Sequence, residues 1–275
     1  MLYSEGSLHK GILLSQARTL YQTSVLLPLL EQEAIALYSR TLHLPVLHFW
    51  RHDRALLLGS RDVTLPQVEQ AIMGLAHQKV RVAVRPFGGL AVALDSGVVN
   101  ISLVLPDPPS LDHTFLLFSE WLREVCSDYG NVTIGEVEGA YCPGRFDLAI
   151  DDVKFAGIAQ RRIQDVAIVS AFVNVVDAGM RREELVSMFY RTAVAHNQLS
   201  PAFIPVLERG KVGNLHKEVQ SSVEASVHHW VTHIINHMGS QGLRVFPCPE
   251  TPLEYYRQAY QRLIGRLHLE EWTTD

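Results

Sequence analysis

A cysteine and a lysine with possible chemical roles lie close together in the stretch GAYCPGRFDLAIDDVKFAGIAQRR, residues 139–162. Cys142 falls in a Pro-Gly turn, and Lys154 leads into an apolar segment. A thiolate is a nucleophile and an ammonium stabilises a developing oxyanion, so the two side chains could act on one substrate carbonyl. The alternative is a small buried thiol and a solvated surface lysine, the usual environment of a lone lysine.

The segment RPFGGLAVALDSGVVNISL, residues 85–103, is the second candidate for a chemical role. Two glycines before a strand let a ligand approach the backbone, because no Cβ stands in the way. A bare glycine pair most often forms a hairpin turn. A longer and more specific order of residues surrounds this pair: Arg85, Gly88, Gly89, Ala91, Val92, Asp95, Gly97, Asn100 and Ser102.

This order resembles the signature R-x-S-G-G-G-A-V-x-x-D-x-G-x-x-N-x-S of the lipoate/octanoate ligase and transferase family. Phe87 replaces the usual serine, and Leu90 replaces the third glycine. In the ATP-using ligases of the family the glycine loop surrounds an acyl-adenylate, so a leucine favours the transferase branch, which uses no nucleotide. The resemblance implies that the substrate-binding residues include Arg85, Phe87, Gly88, Gly89, Leu90 and Asn100.

The stretch around the lysine carries the same resemblance. KFAGIAQRR is similar to the K-x-x-G-x-A/S-Q-R-R strand of the family, which implies that Lys154 holds the acyl carbonyl and that Gly157 belongs to the binding site. YCPGRFDL resembles the segment with the nucleophilic cysteine of amidotransferases that move an octanoyl group between lipoyl-bearing proteins. Cys142 would then be the nucleophile. The resemblance covers roughly residues 30–175.

The resemblance implies a two-step acyl transfer without cofactor or metal. Cys142 would take the octanoyl group from a lysine of the glycine cleavage system H protein, the donor, and form a thioester. A lysine on a lipoyl domain of a 2-oxoacid dehydrogenase, the acceptor, would then receive the group. Arg145 and Lys154 would lower the pKa of the thiol if they face it. Asp147 is expected to close a turn, and no general base is assigned.

Three alternatives stay open at this point. Acyl carrier protein could be the octanoyl donor, the enzyme could be an ATP-dependent lipoate ligase, or the chain could be an acyl-binding module without turnover. Leu90 and Cys142 both argue against the ligase. In each case the octanoyl chain needs an apolar pocket, since each buried methylene contributes roughly 0.8 kcal/mol. By position, the candidates for its lining are Phe87, Leu90 and Val92.

Composition excludes several other classes of protein. The 275 residues are 47% hydrophobic and 19% charged, with a net charge of −5, which gives no support to nucleic-acid binding. No apolar run reaches the roughly 18 residues of a membrane span, and the N-terminus has no signal-peptide pattern. Three cysteines without CxxC spacing predict neither a disulfide framework nor a zinc site. We expect a cytoplasmic protein with free thiols.

Several other polar or reactive side chains are expected to be structural. His229, His233 and His237 follow one helical face, and a polar helix face is favoured over a metal site. Cys126 and Cys248 have no expected chemical part. Arg161 and Arg162 are candidates either for carrier docking or for a structural role.

The elements that must position these residues follow from the apolar spacing. It predicts helices over 29–40, 64–78 (opened by Thr64 as N-cap), 112–130, 181–195, 218–238 and 252–268. It predicts strands over 45–50, 54–60, 81–105 (with turns at 88–89 and 96–97), 146–150, 154–161 and 166–176. Strands come in runs, which favours an α+β fold with a mainly antiparallel or mixed sheet flanked by helices. The resemblance implies a biotin/lipoate protein ligase-like catalytic domain. We expect one domain over 1–275, with the motifs at about 30–175 and a helical C-terminal part at about 180–275.

Overall fold

The strands and helices that carry both motifs are defined in a computed structural model, which describes residues 11–16, 20–194 and 206–267. The strands are β1 (Ile12–Gln16), β2 (Val46–Trp50), β3 (Arg54–Leu58), β4 (Arg81–Val84), β5 (Val92–Asp95), β6 (Val98–Pro106), β7 (Val132–Ile134), β8 (Leu148–Ile150), β9 (Val153–Ile163), β10 (Val166–Asn174) and β11 (Val245–Pro247). The helices are α1 (Leu26–Leu42), α2 (Val68–His77), α3 (Leu111–Val125), α4 (Arg182–Val194), α5 (Val223–Ser240) and α6 (Leu253–Leu267).

Two sheets form within the described residues. The larger has eight strands in the order β11-β1-β2-β6-β10-β9-β8-β7, and the smaller has three in the order β4-β3-β5. Strand β1 pairs in parallel with β2 and β11, and β3 pairs in parallel with β4, while the other pairs are antiparallel. The predicted α+β class with a mixed sheet and flanking helices is confirmed. In the described part of the chain, no helix has the length and apolar character needed to cross a bilayer.

The apolar cores lie on both faces of these sheets. Helices α3 and α5 cover one face of the larger sheet through side chains such as Phe118 and Trp230. Helices α2 and α4 pack on the smaller sheet through Ile72 and Val186. Helix α1 lies between the larger sheet and α6, where Ile35 is buried. The remaining space between the two sheets is where the site forms.

The connections at 51–53, 88–89 and 96–97 are not hairpin turns between paired strands, which corrects the sequence interpretation. Strands β2 and β6 belong to the larger sheet, whereas β3 and β5 belong to the smaller, so the chain crosses between sheets at 51–53 and 96–97. Strands β4 and β5, on either side of 88–89, both pair with β3 and not with each other. Consecutive apolar strands have the same local pattern whether they join one sheet or two.

Two motif residues hold one of these crossings in place. Both carboxylate oxygens of Asp95 accept hydrogen bonds from Arg182, at 2.7 and 2.8 Å, and both side chains are buried. One of the oxygens also accepts a hydrogen bond from the Gly97 N–H at 2.8 Å. Asp95 and Gly97 therefore join β5, β6 and α4 rather than face a ligand.

Helix α2 begins later than predicted, at Val68. Residues 62–64 form a 3₁₀ turn instead, and the Thr64 hydroxyl donates to the Arg61 carbonyl at 2.8 Å rather than capping a helix. Helix α3 starts one residue before its predicted bound, where the Ser110 hydroxyl accepts from the His113 N–H. It ends at Val125 rather than 130, because a second 3₁₀ turn follows. Strands β1, β7 and β11 were missed; each has five residues or fewer.

Candidate active site

Cys142 lies in the loop between β7 and β8, where it faces a loop of the smaller sheet. Its backbone has φ 48°, a conformation that most side chains disfavour. The half-buried sulfur accepts two hydrogen bonds, one from Arg85 Nη2 and one from the Leu90 N–H, each at 3.2 Å. The sulfur therefore faces one cationic donor and one backbone donor.

Gly89 makes this approach of the two loops possible. A Cβ at this position would lie 2.5 Å from Arg85 Nη2 and 2.9 Å from Cys142 Sγ. Its φ of 96° also excludes most other residues. Gly88, the other predicted glycine, is exposed and has open space around the position of a Cβ.

Arg85 is held at the end of β4 with its guanidinium inside the protein. The residue is 7% exposed, and Nη2 also donates to the Leu90 carbonyl at 2.9 Å. Among the described residues, no carboxylate forms a salt bridge with Arg85, and its Nε has no hydrogen-bond partner. Buried charges are normally paired, so the sulfur is the natural partner of this cation.

A buried chain of hydrogen bonds supports the glycine loop from behind, and sequence reasoning missed it. The Tyr190 hydroxyl donates to Asp62 at 2.8 Å and accepts from the Ala91 N–H at 3.0 Å. Asp62 also accepts from the Gly59 N–H at 2.7 Å. Burial raises the pKa of Asp62, while these hydrogen bonds and the charge of Arg85 act to lower it. No local pattern marks Tyr190, which lies 99 residues from Ala91.

Lys154 is completely buried, so the alternative of a solvated surface lysine is wrong. Its ammonium lies 2.7 Å from Asp147 Oδ2 and donates to the carbonyls of Tyr141 at 3.0 Å and Cys142 at 2.6 Å. An ammonium has three N–H donors, and three acceptors surround this one. The lysine thus contacts the backbone of the cysteine loop, and its role as carbonyl binder stays a prediction.

Asp147 closes a turn, as expected, and it also forms the ion pair that the sequence did not indicate. Its Oδ2 accepts from the Gly144 N–H at 2.9 Å in addition to contacting Lys154. Burial raises the pKa of Asp147 to about 6, although the lysine and the Gly144 N–H act to lower it. The loop from Tyr141 to Asp147 is therefore tied to β9 from inside the protein.

Arg145 does not contact the sulfur, because its guanidinium pairs with Asp112 at 3.3 Å and lies over the ring of Phe146. Its side chain is 71% exposed. Among the described residues, the cation that contacts the Cys142 sulfur is Arg85, at the end of a strand of the smaller sheet.

A cavity of about 390 Å³ opens beside the sulfur. This volume is within the range of small-molecule sites. Its lining includes Arg85, Gly88, Gly89, Leu111, Phe115, Cys142, Arg145, Phe146, Gly157 and Phe172. The arrangement brings a thiol, a cation and apolar side chains to one opening.

A narrower pocket of about 30 Å³ shares four wall residues with the cavity, namely Arg85, Gly157, Ala159 and Phe172. Phe87, Val92 and Asn100 line it, as do Leu29, Trp50 and Leu57. Leu90 instead contributes its backbone to the sulfur, while its side chain packs with the core of the smaller sheet. The structure thus places the predicted substrate-binding residues around two adjoining spaces; their roles stay predictions.

One wall of the narrower pocket, the inner pocket, is partly polar. Gln32 on α1 donates to Ser170 at 2.7 Å and also bonds Ser102. Asn100 is 7% exposed, and its Nδ2 has no partner among the described residues. Gln32 was missed because a single glutamine on a largely apolar helix gives no sequence signal.

The other two cysteines pack among apolar side chains of the cores. Burial raises the pKa of Cys126 to about 12, with a smaller opposing effect of Trp230, and burial also raises the pKa of Cys248. Both thiols are therefore poor nucleophiles near neutral pH.

The histidine face of α5 packs against neighbouring elements. His233 Nε2 lies 2.8 Å from the Val125 carbonyl, and His237 lies 3.8 Å from Glu124. Within the described ranges, no three His, Cys, Asp or Glu side chains are grouped as metal ligands.

The two arginines that end the second motif differ in their surroundings. Arg161 is buried and pairs with Glu33 at 2.6 Å, and Glu33 also contacts Arg262 at 3.3 Å. This ion pair joins β9, α1 and α6, so Arg161 is structural. Arg162 bonds the Pro109 carbonyl and the Thr114 hydroxyl, on the side of α3.

Comparison with known proteins places these motifs in a family. The family model described as lipoyl protein ligase A/B catalytic domain matches residues 29–239. A protein of Anoxybacillus flavithermus named octanoyl-[GcvH]:protein N-octanoyltransferase is 34% identical over 81% of each chain. Its namesake in Geobacillus kaustophilus is 40% identical over 53% of each chain. A protein of Listeria monocytogenes named lipoyl-[GcvH]:protein N-lipoyltransferase is 31% identical over 79% of each chain.

Solved structures agree on the fold. A lipoate-protein ligase A crystallised with ATP superposes with a TM-score of 0.61 at 18% identity, covering 93% of this chain and 94% of that one. A putative lipoate protein ligase of T. acidophilum with bound lipoic acid gives a TM-score of 0.59 at 19% identity, covering 93% and 95%. At these identities the likeness establishes the architecture alone.

Proposed function

Because the chain belongs to the lipoyl protein ligase A/B catalytic domain family, we propose that it is an octanoyltransferase that uses the glycine cleavage system H protein as donor. The acceptor is a lysine on a lipoyl domain of a 2-oxoacid dehydrogenase. The printed names of relatives that are 34% and 40% identical support the donor. The observation that carries the chemistry is Cys142, whose sulfur receives two donors at the opening of a 390 Å³ cavity.

The reaction has two balanced steps. In the first, the Cys142 sulfur attacks the carbonyl carbon of the octanoyl-lysyl amide, a C–S bond forms, and the C–N bond breaks. The thiol proton ends on the departing lysine amine. In the second, the acceptor lysine amine attacks the thioester carbonyl carbon, a C–N bond forms, the C–S bond breaks, and the leaving sulfur takes a proton from the attacking amine to regenerate the thiol. A covalent nucleophile divides a difficult transfer into two easier ones.

The exchange of one amide for another needs no nucleotide, since product and substrate contain the same type of bond. Where a ligase of the family has a third glycine, Leu90 occupies the loop. The absence of a third glycine and the presence of a nucleophile in Cys142 support transfer over ligation. Catalysis also requires a reduced thiol, which supports a location in the reducing cytoplasm.

The acyl chain fits the space between the sheets. With its carbonyl at Cys142, the chain passes Gly157 and Phe172 and enters the inner pocket beside Phe87 and Val92. Each methylene buried there stabilises the complex by about 0.8 kcal/mol. Burial of the chain fixes the carbonyl at the sulfur, which accelerates attack by positioning.

Intact-mass measurement of the acceptor tests the proposal. The purified protein is mixed with octanoylated H protein and an unmodified lipoyl domain, without nucleotide, and the acceptor should gain one octanoyl group. Transfer only from octanoyl-acyl carrier protein, or only with ATP and free acid, would assign the other donor or the ligase. A parallel reaction with lipoyl-H protein tests the acyl group named for the Listeria relative.

Cys142→Ser provides the matched variant. It should abolish transfer and the acyl-enzyme detected by mass, with the melting temperature within a few degrees of the parent. Cys248→Ser, a substitution of a half-buried thiol elsewhere, should retain both. Full activity of Cys142→Ser would remove this residue from the mechanism.

A further inference from the structure

We propose that Arg85 and the Leu90 N–H form the anion site of the reaction, whereas Lys154 and Asp147 are a positioning pair that holds the cysteine loop. The inference rests on the proposed function in that Cys142 is the nucleophile. It departs from the expectation that the lysine holds the acyl carbonyl.

The hydrogen bonds of Lys154 indicate that it positions the cysteine loop. Three N–H groups face three acceptors, namely Asp147 Oδ2, the Tyr141 carbonyl and the Cys142 carbonyl, at 2.6 to 3.0 Å. A substrate carbonyl would have to displace one of them. Loss of such a bond in a completely buried site leaves a desolvated acceptor without a partner, which is unfavourable.

The charges around Lys154 and Arg85 indicate that Arg85 is the cation of the anion site. The Lys154 cation is neutralised by a carboxylate at 2.7 Å, so the field of the pair at the sulfur is that of a dipole. The Arg85 cation has no salt-bridged carboxylate among the described residues and contacts the sulfur at 3.2 Å. Although its charge also acts on Asp62, a buried guanidinium without a salt-bridged carboxylate is stabilised by an anion at this point, first the thiolate and then the oxyanion.

The geometry allows the same donors to serve both anions. When the sulfur attacks, the C–S bond forms and the negative charge moves to the carbonyl oxygen. That oxygen is two bonds from the sulfur, so small shifts of Arg85 Nη2 and the Leu90 N–H suffice to follow the charge. When the C–N bond breaks, the carbonyl reforms and the leaving amine carries the proton that came from the thiol.

Lys154 and Asp147 together fix the backbone of the cysteine loop. Lys154 fixes two consecutive carbonyls of the loop, and Asp147 fixes the Gly144 N–H. These bonds hold Cys142 at φ 48°, the conformation that directs its sulfur at the smaller sheet.

The reactivity of Cys142 gives the first test, and it needs no carrier protein. Alkylation by iodoacetamide at pH 7 is followed at Cys142 by peptide mass spectrometry of the full chain. Arg85→Gln should slow the alkylation about tenfold or more, and Arg85→Lys should restore part of the rate. Arg145→Gln, a loss of charge on the same cavity, should leave the rate unchanged. A folded Arg85→Gln protein with the parental rate would overturn the proposal.

Substitution of the pair gives the second test. At pH 7, Asp147→Asn should speed the alkylation of Cys142 and Lys154→Gln should slow it, since each leaves the opposite charge unbalanced, and the double variant should return the rate towards the parental value. In single-turnover acylation with p-nitrophenyl octanoate, both single variants should be about tenfold or more slower, and the double variant no slower than the slower single one. A slow Lys154→Gln beside a parental rate for Asp147→Asn would show that the lysine binds the carbonyl directly.

The outcomes separate this inference from the proposed function. If the small ester acylates Cys142 but octanoylated H protein does not, the proposed donor is wrong and the anion site is unaffected. If the Lys154 variants unfold, the Arg85 variants alone decide the proposal, because the alkylation rate of Cys142 reports the electrostatic field at its sulfur.

Discussion

Gly157→Ala should shorten the acyl chain that the protein accepts. A Cβ at this position would lie 2.6 and 2.7 Å from two ring atoms of Phe172 and 3.1 Å from Lys154 Cε. Ordinary contact begins near 3.4 Å, so the ring must retreat by about 0.8 Å. Gly157 and Phe172 line both the cavity and the inner pocket, and a displaced ring narrows the passage between them.

The expected loss of binding free energy follows from the number of methylenes that are no longer buried. If the last two methylenes of an octanoyl chain no longer enter the pocket, about 1.6 kcal/mol of binding is lost, or roughly 15-fold. A butanoyl chain ends before the constriction and should be nearly unaffected. The overpacked ring should also lower the free energy of unfolding by about 1–3 kcal/mol.

Single-turnover acylation of Cys142 with acyl esters of increasing length measures this dependence. The parental rate should rise with chain length up to octanoyl, and the Gly157→Ala rate should level off about two methylenes earlier. Gly74→Ala serves as the control, because it adds the same methyl group on α2 with open space around it. Parallel chain-length curves for Gly157→Ala and the parent would refute the path proposed for the acyl chain.

Two further predictions concern stability. Burial lowers the pKa of His48 to about 4, with Glu31 acting in the opposite direction. Below pH 6.5, therefore, His48 is protonated in the unfolded chain but stays neutral in the folded one. The free energy of unfolding should therefore fall as the pH drops, by about 2 kcal/mol between pH 7 and pH 5, and urea titrations should show this loss diminished in His48→Gln. An equal pH dependence in that variant would exclude His48 as the source. Asp95→Ala leaves the Arg182 cation buried without its carboxylate and should lower the free energy of unfolding by about 3 kcal/mol or more. The double variant with Arg182→Met should recover most of that loss in the same urea titrations, and a loss equal to the sum of the single variants would contradict the account.

Local patterns in the sequence predicted the elements well. The helices near α1, α4 and α6 were placed within three residues of their bounds, because apolar periodicity and chain breakers act over a few residues. The tight turn between β8 and β9 was also predicted, and its two aspartates both have positive φ, 54° and 58°. Residue order identified the family, since the glycine and lysine motifs are long and specific.

Local patterns were less informative about which strands pair. A run of apolar strands does not indicate whether consecutive strands share a sheet, and here β2, β3, β5 and β6 alternate between two sheets. This alternation between sheets also determines which loops meet at the candidate site. The loop at 88–90 connects two strands of the smaller sheet and contacts Cys142, which lies in a loop of the larger sheet.

By itself, the sequence predicted that Cys142 and Lys154 act together and that the glycine loop belongs to the same site. The tertiary structure alone decided what surrounds each charge: Arg85, 57 residues before the cysteine, contacts the sulfur, and Asp147 neutralises the lysine. The physical reason is that propensity and periodicity act between neighbours in the chain. The environment of a buried charge, in contrast, depends on which distant groups packing brings within a few ångströms and removes from water.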